Sequence, residues 1–400
     1  MANNKKMPID NLIKQLRIDN QPFQTVLKLC HFHTERLNQY FTHGETFPIH
    51  MEVSLTNKCN QKCPWCLNKN IRNGPHTPEF LNIASLSRFL RDYKKLGGKS
   101  ITWSGGGEPT CHPNFNVALR KCNDVGLQQA LITNGTFNDD ALLSISENII
   151  WVRFSIDTID KMKYLNLKGT DIDIAMNNIT NLIYLRNKKK YPKIGVNFNI
   201  SYMNIDEIDK IIEYFNKLGV DYIQFRPMLW TPFSNSFLKY EWSNNSIDLF
   251  LDLLEGIIFK KINNCSKLIK IIVSKDKFSD LKKQSYGREY KYCSYHHFVS
   301  ILNSNGDICT CMFHLYDDRF SFGNINKESL QNIWNGAKRK NVLRTIESKG
   351  IDFNDCQVCC KGQEINKFID TIKNNGNEID LNNMIPINKD WVGDYDADFL

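Results

Sequence analysis

The sequence contains no run of 18 apolar residues, and its first 16 residues have neither an unbroken apolar stretch nor a small-residue cleavage site. The first absence excludes an ordinary membrane-spanning helix. The second excludes a secretory signal peptide, so we expect a cytoplasmic protein. The formal charge of +8 is spread over 400 residues rather than gathered into a basic tail.

The densest basic run, Lys188–Lys190, follows an apolar periodic segment. Such a run is typical of the solvated end of a helix, and a nucleic-acid-binding patch is the alternative. We therefore expect neither a nucleic acid nor a membrane among the partners.

Cysteine is abundant, with 13 residues in a chain that carries no export signal. Disulfides are rare in the reducing cytosol, where clustered cysteines more often bind metals or take part in catalysis. The spacing of these cysteines is therefore the feature to interpret.

Short apolar strands alternate with helical segments from residue 49 onward. The helical segments have apolar residues at three- and four-residue spacing and end at glycines such as Gly97 and Gly219. Six strand–helix repeats predict the α/β class: a parallel sheet with right-handed crossovers that forms a partial (β/α)6 barrel, curved and partly open. The predicted strands are His50–Thr56, Ser100–Ser104, Gln129–Thr133, Trp151–Ile156, Lys193–Ser201 and Tyr222–Met228.

The remaining segments suggest a division of the chain around this barrel. Residues 291–375 are predicted to form a small α+β domain that begins with a hairpin, Phe298–Leu302 and Asp307–Met312, joined by an Asn-Gly turn. The other predicted units are an N-terminal helical lead-in at 1–48, the barrel at 49–240, a helical linker that completes it at 241–290, with a long helix near 243–262, and an acidic tail or lid at 376–400.

The first cysteine cluster, Cys59, Cys63 and Cys66, directly follows the first predicted strand. Three thiolates can hold three irons of a cubane cluster and leave the fourth iron open to another ligand. A zinc site is the alternative, although zinc normally takes four ligands in paired spacing. The spacing therefore favours an iron–sulfur cluster and leaves zinc open.

The Cx3Cx2C spacing with Trp65 before the third cysteine resembles the signature of the radical S-adenosylmethionine (SAM) superfamily. Ser104-Gly105-Gly106-Gly107-Glu108-Pro109, at the end of the second strand, is similar to that family's GGEP turn. The resemblance covers about residues 48–230. It implies a [4Fe–4S] cluster on the three cysteines, with SAM bound to the open iron.

The resemblance also assigns SAM-binding roles to residues near the C-terminal ends of successive strands, where a barrel presents its chemistry. It implies that Gly106 and Gly107 approach the methionyl group and that Glu108 receives its ammonium. The other implied cofactor-binding residues are Trp65, Asn134 in the Thr-Asn-Gly turn, Ser155 and Asp157 at the ribose, Asn199 beside Asn197 on the fifth strand, and Arg226 at the carboxylate.

A second cysteine set lies in the C-terminal region, and it resembles the SPASM/twitch extension of the same superfamily. Cys293, Cys311, Cys356 and Cys359 would hold one auxiliary [4Fe–4S] cluster, because the later cysteines of a two-cluster unit are missing. Four thiolates suit a structural zinc equally well, which stays an alternative. Cys309 and Cys360 are surplus, and either could replace its neighbour as a ligand.

Surplus thiols raise a further possibility, because a radical epimerase needs a thiol to return a hydrogen atom to its substrate. Cys111, Cys309 and Cys360 are the candidates. The alternative for each is an ordinary buried cysteine.

The resemblance implies that an electron from a flavodoxin- or ferredoxin-type donor cleaves SAM to methionine and a 5′-deoxyadenosyl radical. This radical would remove a hydrogen atom from an unactivated carbon of a natural-product intermediate, either a ribosomal peptide or an aminocyclitol or sugar. Oxidation, cross-linking and epimerisation all remain open as outcomes. The 48 residues before the barrel are short for a leader-binding domain, which favours a small molecule or a separate leader-binding partner. Two alternatives are an RNA-modifying enzyme of the same superfamily and a non-catalytic zinc or iron–sulfur protein.

Overall fold

The computed structural model describes residues 25–72, 78–187, 189, 191–201, 203–228, 248–249, 252–253, 256–257, 269–274, 277–278, 290–349, 360–374 and 398–400. Most of the long helix predicted near 243–262 lies outside this set. So do Cys356, Cys359 and most of the predicted tail. No helix among these residues is both long and apolar enough to cross a bilayer.

Ten strands form one open sheet in the order β10-β9-β8-β1-β2-β3-β4-β5-β6-β7. Every neighbouring pair from β8 to β7 is parallel, whereas β8–β9 and β9–β10 are antiparallel. The two outer strands do not pair with each other, so the predicted partial barrel is confirmed. The strands are β1 His50–Ser54, β2 Ser100–Ser104, β3 Gln128–Thr133, β4 Trp151–Ser155, β5 Lys193–Ile200, β6 Tyr222–Pro227, β7 Lys270–Val273, β8 Val299–Leu302, β9 Asp307–Cys309 and β10 Ser321–Asn324.

Helices connect the parallel strands and begin at polar caps. Asn82 and Asn138, for example, each accept a hydrogen bond from the backbone three residues on. Gly219, in the left-handed conformation at φ 87°, ends another helix as the sequence predicts. The helices are Thr25–Phe32, Thr34–His43, Lys69–Arg72, Ile83–Lys95, Phe115–Asp124, Asp139–Asn148, Lys161–Lys168, Ile172–Arg186, Ile208–Leu218, Leu330–Asn335, Ala337–Lys349 and Gln363–Asn374.

The two faces of the sheet differ in polarity. Val152 and Phe154 of β4 pack with the connecting helices in the main hydrophobic core. Successive side chains of a strand point to opposite faces, so Arg153 and Ser155 face the concave side. On β5 and β6, Asn197 and Gln224 also occupy alternate positions between core residues. The concave side is therefore a polar lumen, and its upper edge is formed by the C-terminal ends of the strands.

The predicted C-terminal hairpin is present, and it extends the barrel's own sheet. Strand β8 pairs in parallel with β1, from His50 opposite Val299 to Val53 opposite Leu302. A seventh strand after β6, Lys270–Val273, falls inside the segment predicted as a helical linker. Its apolar run is too short for periodicity to tell a strand from part of a helix. The predicted domain boundaries stay predictions.

Phe399 and Leu400 are buried, although the sequence predicts a tail with no core of its own at 376–400. Residues 376–397 of that tail lie outside the described residues. Lys28 Nζ donates to the carbonyl oxygen of Phe399 at 3.0 Å, and His50 Nδ1 donates to that of Leu400 at 2.9 Å. The Phe399 ring packs edge-on against His50 and Trp151, which begin β1 and β4. The Phe399 side chain, with Trp151, therefore closes the lower end of the lumen.

We expect Phe399→Ala to lower the free energy of unfolding by about 3 kcal/mol, because it removes a buried aromatic side chain. Chemical denaturation followed by circular dichroism measures this change. Phe32→Ala is the matched control, since Phe32 is 39% exposed whereas Phe399 is 5% exposed. Equal effects of the two substitutions would show that Phe399 does not seal the barrel.

Candidate functional site

The loop after β1 carries the three cysteines of the first cluster, all of them partly exposed. A backbone bond from Cys66 N to Cys63 O, 3.3 Å, turns the loop between the second and third cysteines. The pKa of the Cys63 thiol is raised to about 11, chiefly by burial; Lys168 opposes the increase, and Asp157, Cys66 and Cys59 contribute to it. The three thiols thus lie close enough to influence one another electrostatically.

The glycine turn after β2 presses against this loop. A Cβ atom on Gly107 would lie 2.1 Å from the carbonyl oxygen of Lys58, so no other residue fits there without moving the backbone. Gly106 N donates to Ser54 Oγ at 3.1 Å, and Glu108 N donates to Lys58 O at 2.9 Å. The turn is therefore fixed to the end of β1 and to the cysteine loop.

Glu108 holds the turn after β3 in place through hydrogen bonds. Its side chain is 3% exposed and accepts hydrogen bonds from Thr133 Oγ1 at 2.7 Å and Asn134 N at 2.8 Å. Thr110 donates to the same carboxylate at 2.9 Å. Burial raises the pKa of Glu108, and these hydrogen bonds act in the opposite direction. Both oxygens already have protein partners, so the implied contact with the SAM ammonium stays a prediction.

Asn134 connects this turn to the cysteine loop, since its Nδ2 donates to Asn60 Oδ1 at 2.7 Å. Asn60 in turn donates to Thr136 Oγ1 at 2.8 Å. The turns after β2 and β3 and the cysteine loop thus form one hydrogen-bonded unit.

A buried ion pair lies beyond the end of β4. Asp157 Oδ2 is 2.6 Å from Lys168 Nζ, and the two side chains are 1% and 2% exposed. The other oxygen, Oδ1, accepts from Asn199 N at 3.0 Å and Asn199 Nδ2 at 2.9 Å. Asp157 therefore anchors β5 to the end of β4, and its implied ribose contact stays a prediction.

Lys168 is a residue of the candidate site that the sequence did not indicate. Burial alone would lower its pKa, but Asp157 and Cys63 more than offset that and raise it. Lys168 Nζ also donates to Ser155 O at 2.9 Å, and its carbonyl accepts from Lys62 N at 2.9 Å. A lysine at the end of a helix normally indicates a solvated charge, so no sequence signal distinguished it.

Three further predicted residues lie around this unit. Trp65 is buried against Met228, with the Lys168 ammonium 5.9 Å from its ring centroid. Arg226 lies opposite Asn199 in the β5–β6 register, and Ser155 ends β4. The predicted SAM-edge residues thus meet at one end of the barrel, and their individual roles stay proposals.

Cysteines of the second set line a largely apolar cavity in the C-terminal region. Cys293, Cys311 and Cys360 lie on its wall together with Tyr295. Burial raises the pKa of the Cys311 thiol to about 12, and Cys293 and Cys360 add to the increase. Cys356 and Cys359 lie outside the described residues. Of the two surplus cysteines, Cys360 is the one on the cavity wall.

The other surplus thiols have different surroundings. Cys309 is 1% exposed and packs with Ile301 and Leu315, and burial raises its pKa. Cys111 lies beside the first cluster loop, where burial first, then Glu108 and Cys59, raise its pKa to about 11. Their proposed role as hydrogen donors stays a prediction.

The residues present fit iron–sulfur clusters by their chemistry. Each site offers three soft thiol donors, and the first is packed against a glycine turn that a side chain would fill. No three His, Cys, Asp or Glu side chains in the described ranges surround a single point closely enough for one metal ion. A cubane cluster does not need that closeness, because each thiolate binds a different iron.

Two family models match the chain. The model of the radical SAM superfamily matches residues 53–183, and that of the SPASM iron–sulfur cluster-binding domain matches residues 293–361. The chain belongs to the radical SAM superfamily. The first match contains Cys59, Cys63 and Cys66, and the second contains Cys293, Cys311 and Cys360. A radical SAM domain carries a [4Fe–4S] cluster and SAM, and a SPASM domain carries auxiliary iron–sulfur clusters.

Similar proteins agree with this membership. The tungsten-containing aldehyde ferredoxin oxidoreductase cofactor-modifying protein of Pyrococcus furiosus is 23% identical and covers 78% of this chain and 86% of its own. A cysteine-type anaerobic sulfatase-maturating enzyme of Clostridium novyi is 26% identical over the same shares. The crystal structure of Streptococcus suis SuiB bound to S-adenosylmethionine shares the fold, with a TM-score of 0.62 at 16% identity over 79% of this chain and 71% of SuiB.

We expect Lys168→Met to lower the free energy of unfolding of this radical SAM enzyme by about 3 kcal/mol, because it leaves the Asp157 carboxylate buried without its cation. The double variant K168M/D157L should recover much of the loss. Denaturant titration of the cluster-loaded protein measures both.

Lys161→Met is the matched control, since Lys161 is 68% exposed in its pair with Asp173. It should leave the denaturation midpoint unchanged. A double variant no more stable than K168M would contradict the assignment of the loss to an unpaired charge.

Proposed function

We propose that this radical SAM enzyme cleaves SAM reductively and removes a hydrogen atom from an unactivated carbon of a peptide substrate. The observation that carries the proposal is the joining of three elements at one end of the barrel: the three-cysteine loop, the glycine turn fixed to it, and the Asp157–Asn199 contact. A polar lumen lies directly below them.

Cys59, Cys63 and Cys66 would hold the SAM-binding cluster, and Cys293, Cys311 and Cys360, with Cys356 or Cys359, the auxiliary one. When bound, the first cluster and SAM supply a 5′-deoxyadenosyl radical that removes hydrogen atoms from carbon. A flavodoxin- or ferredoxin-type protein is the proposed electron donor.

The protein's own residues orient the bound molecules and shield them from water. The absence of a side chain at Gly107 lets the glycine turn lie against the cysteine loop, and Trp65 and Arg226 flank the same edge. At the opposite end, Phe399 and Trp151 close the lumen. Exclusion of water protects a reactive species from competing hydrogen donors, so the closed floor leaves the upper edge as the entrance.

The similar proteins support a peptide rather than a sugar or aminocyclitol. SuiB has also been solved bound to its precursor peptide SuiA, and the Clostridium novyi relative is a sulfatase-maturating enzyme. No observation favours RNA as the substrate.

Anaerobic reconstitution tests the two cluster assignments. We expect about eight irons per chain, and release of 5′-deoxyadenosine from SAM with dithionite. The triple variant C59A/C63A/C66A should keep about four irons and release none. The matched C293A/C311A variant should also lose about four irons yet still cleave SAM. Zinc at the thiolates, without SAM cleavage, would refute the proposal.

Isotope transfer tests the substrate class. With a perdeuterated peptide substrate, we expect deuterium in the 5′-deoxyadenosine, because the radical takes its hydrogen directly from the substrate. Mass spectrometry of the nucleoside measures it. A deuterated aminocyclitol or sugar is the parallel control, and transfer from it alone would exclude the peptide.

A further inference from the structure

The lumen contains an arginine without an acidic partner. Arg153 lies on the concave face of β4, and its Nη1 donates to Gln224 Oε1 at 2.9 Å. Its guanidinium carbon lies 5.7 Å from the ring centroid of Trp151. Within the described part of the chain, no carboxylate forms an ion pair with it.

Part of this guanidinium has no partner at all. Arg153 Nε is buried and donates no hydrogen bond. Burial lowers the pKa of Arg153, yet an arginine in a protein stays charged. The side chain as a whole is half-buried, and a charge partly withdrawn from water is costly unless it is paired and hydrogen-bonded. The side chain is therefore held in a state that a bound anion would stabilise.

Asn197, on the adjoining strand β5, also has a polar atom without a hydrogen-bond partner. Asn197 is 7% exposed, and its Oδ1 is buried without a hydrogen-bond partner, while its Nδ2 donates to Asn199 Oδ1 at 3.2 Å. Asn197 lies opposite Gln224 in the β5–β6 register. Arg153, Asn197 and Gln224 thus occupy one face of three adjoining strands, with a free donor and a free acceptor among them.

A charged pair elsewhere on the concave face does not neutralise Arg153. Glu52 of β1 is 5% exposed and pairs with Lys361 Nζ, so these two charges cancel each other. Arg153 also lies two residues below Ser155, about 7 Å along the strand from the upper edge. An anion bound there would sit inside the lumen, between the candidate SAM edge and the closed floor.

We propose that Arg153, with Asn197 and Gln224, binds a carboxylate of the substrate. Arg153 Nη2, which is not among the buried atoms and donates to no described residue, donates to that carboxylate, while Gln224 holds Nη1 and Asn197 lies next to Gln224 on the same face. An acidic side chain of a peptide and a free carboxylic acid both provide this group. This inference rests on the proposed function, because it deepens the description of the substrate.

Ligand-detected NMR on the SAM-loaded holoenzyme tests the site with matched probes, since it registers weak binding. N-acetyl-glutamate α-amide against N-acetyl-glutamine α-amide represents a peptide side chain, and glutarate against glutaramide represents a free acid. We expect at least one carboxylate to bind about tenfold more tightly than its amide, from one charge-assisted hydrogen bond. The pair that shows the preference identifies the source of the carboxylate.

The variants then assign the preference to one residue. R153Q should abolish it, and R153K should keep part of it. R319Q should keep all of it, because Arg319 is 66% exposed and already paired with Asp317. The denaturation midpoint of R153Q is measured alongside, so that a loss of the preference is interpreted only in a folded variant.

Two results would overturn the inference: equal binding of acid and amide to the unsubstituted enzyme, and a preference that survives in R153Q. Release of 5′-deoxyadenosine from the same samples separates this inference from the proposed function. SAM cleavage without a carboxylate preference refutes the binding site alone. A preference without SAM cleavage refutes the proposed function and leaves the site.

Discussion

The buried pair of Lys168 and Asp157 is the interaction on which the candidate site depends. Through Asp157 it connects β4 to Asn199 of β5, and through the Lys168 carbonyl it holds the backbone of Lys62 in the cysteine loop. Its ammonium also lies near Cys63 and above Trp65. Two charges withdrawn from water tolerate little movement, because separation leaves each one unpaired. The position of the loop is thereby coupled to the position of the strands.

Much of the fold follows from the sequence. The starts of β1, β2 and β4–β6 match the predicted residues, because short apolar runs bounded by polar turns and separated by periodic helices favour few other arrangements. The first cysteine loop and the glycine turn are also predictable from the sequence, since three thiols and three glycines at fixed spacing serve few purposes. The chemistry is encoded locally in both cases.

The remaining features depend on contacts between distant parts of the chain. Lys168 looks like any solvated lysine until the fold places Asp157 beside it. The hairpin was predicted, but not its pairing with β1, because strand patterns do not name a partner. The spacing does not show whether Cys360 or Cys309 is the better candidate ligand of the auxiliary cluster. In the structure, Cys360 lies on the cavity wall and Cys309 does not. Arg153 carried no signal either, since one charge in an alternating strand indicates a solvent-facing side chain.

The pairing of β1 with β8 has a consequence for synthesis. His50 and Val299 are partners in the ladder although 249 residues separate them. At 5–20 residues per second, β1 has one open edge for roughly 10–50 s of translation. An unpaired strand edge is a template for association with other chains. The cysteine loop leaves that same strand, so during synthesis an exposed strand edge lies next to the candidate site, and chaperone binding there would protect both.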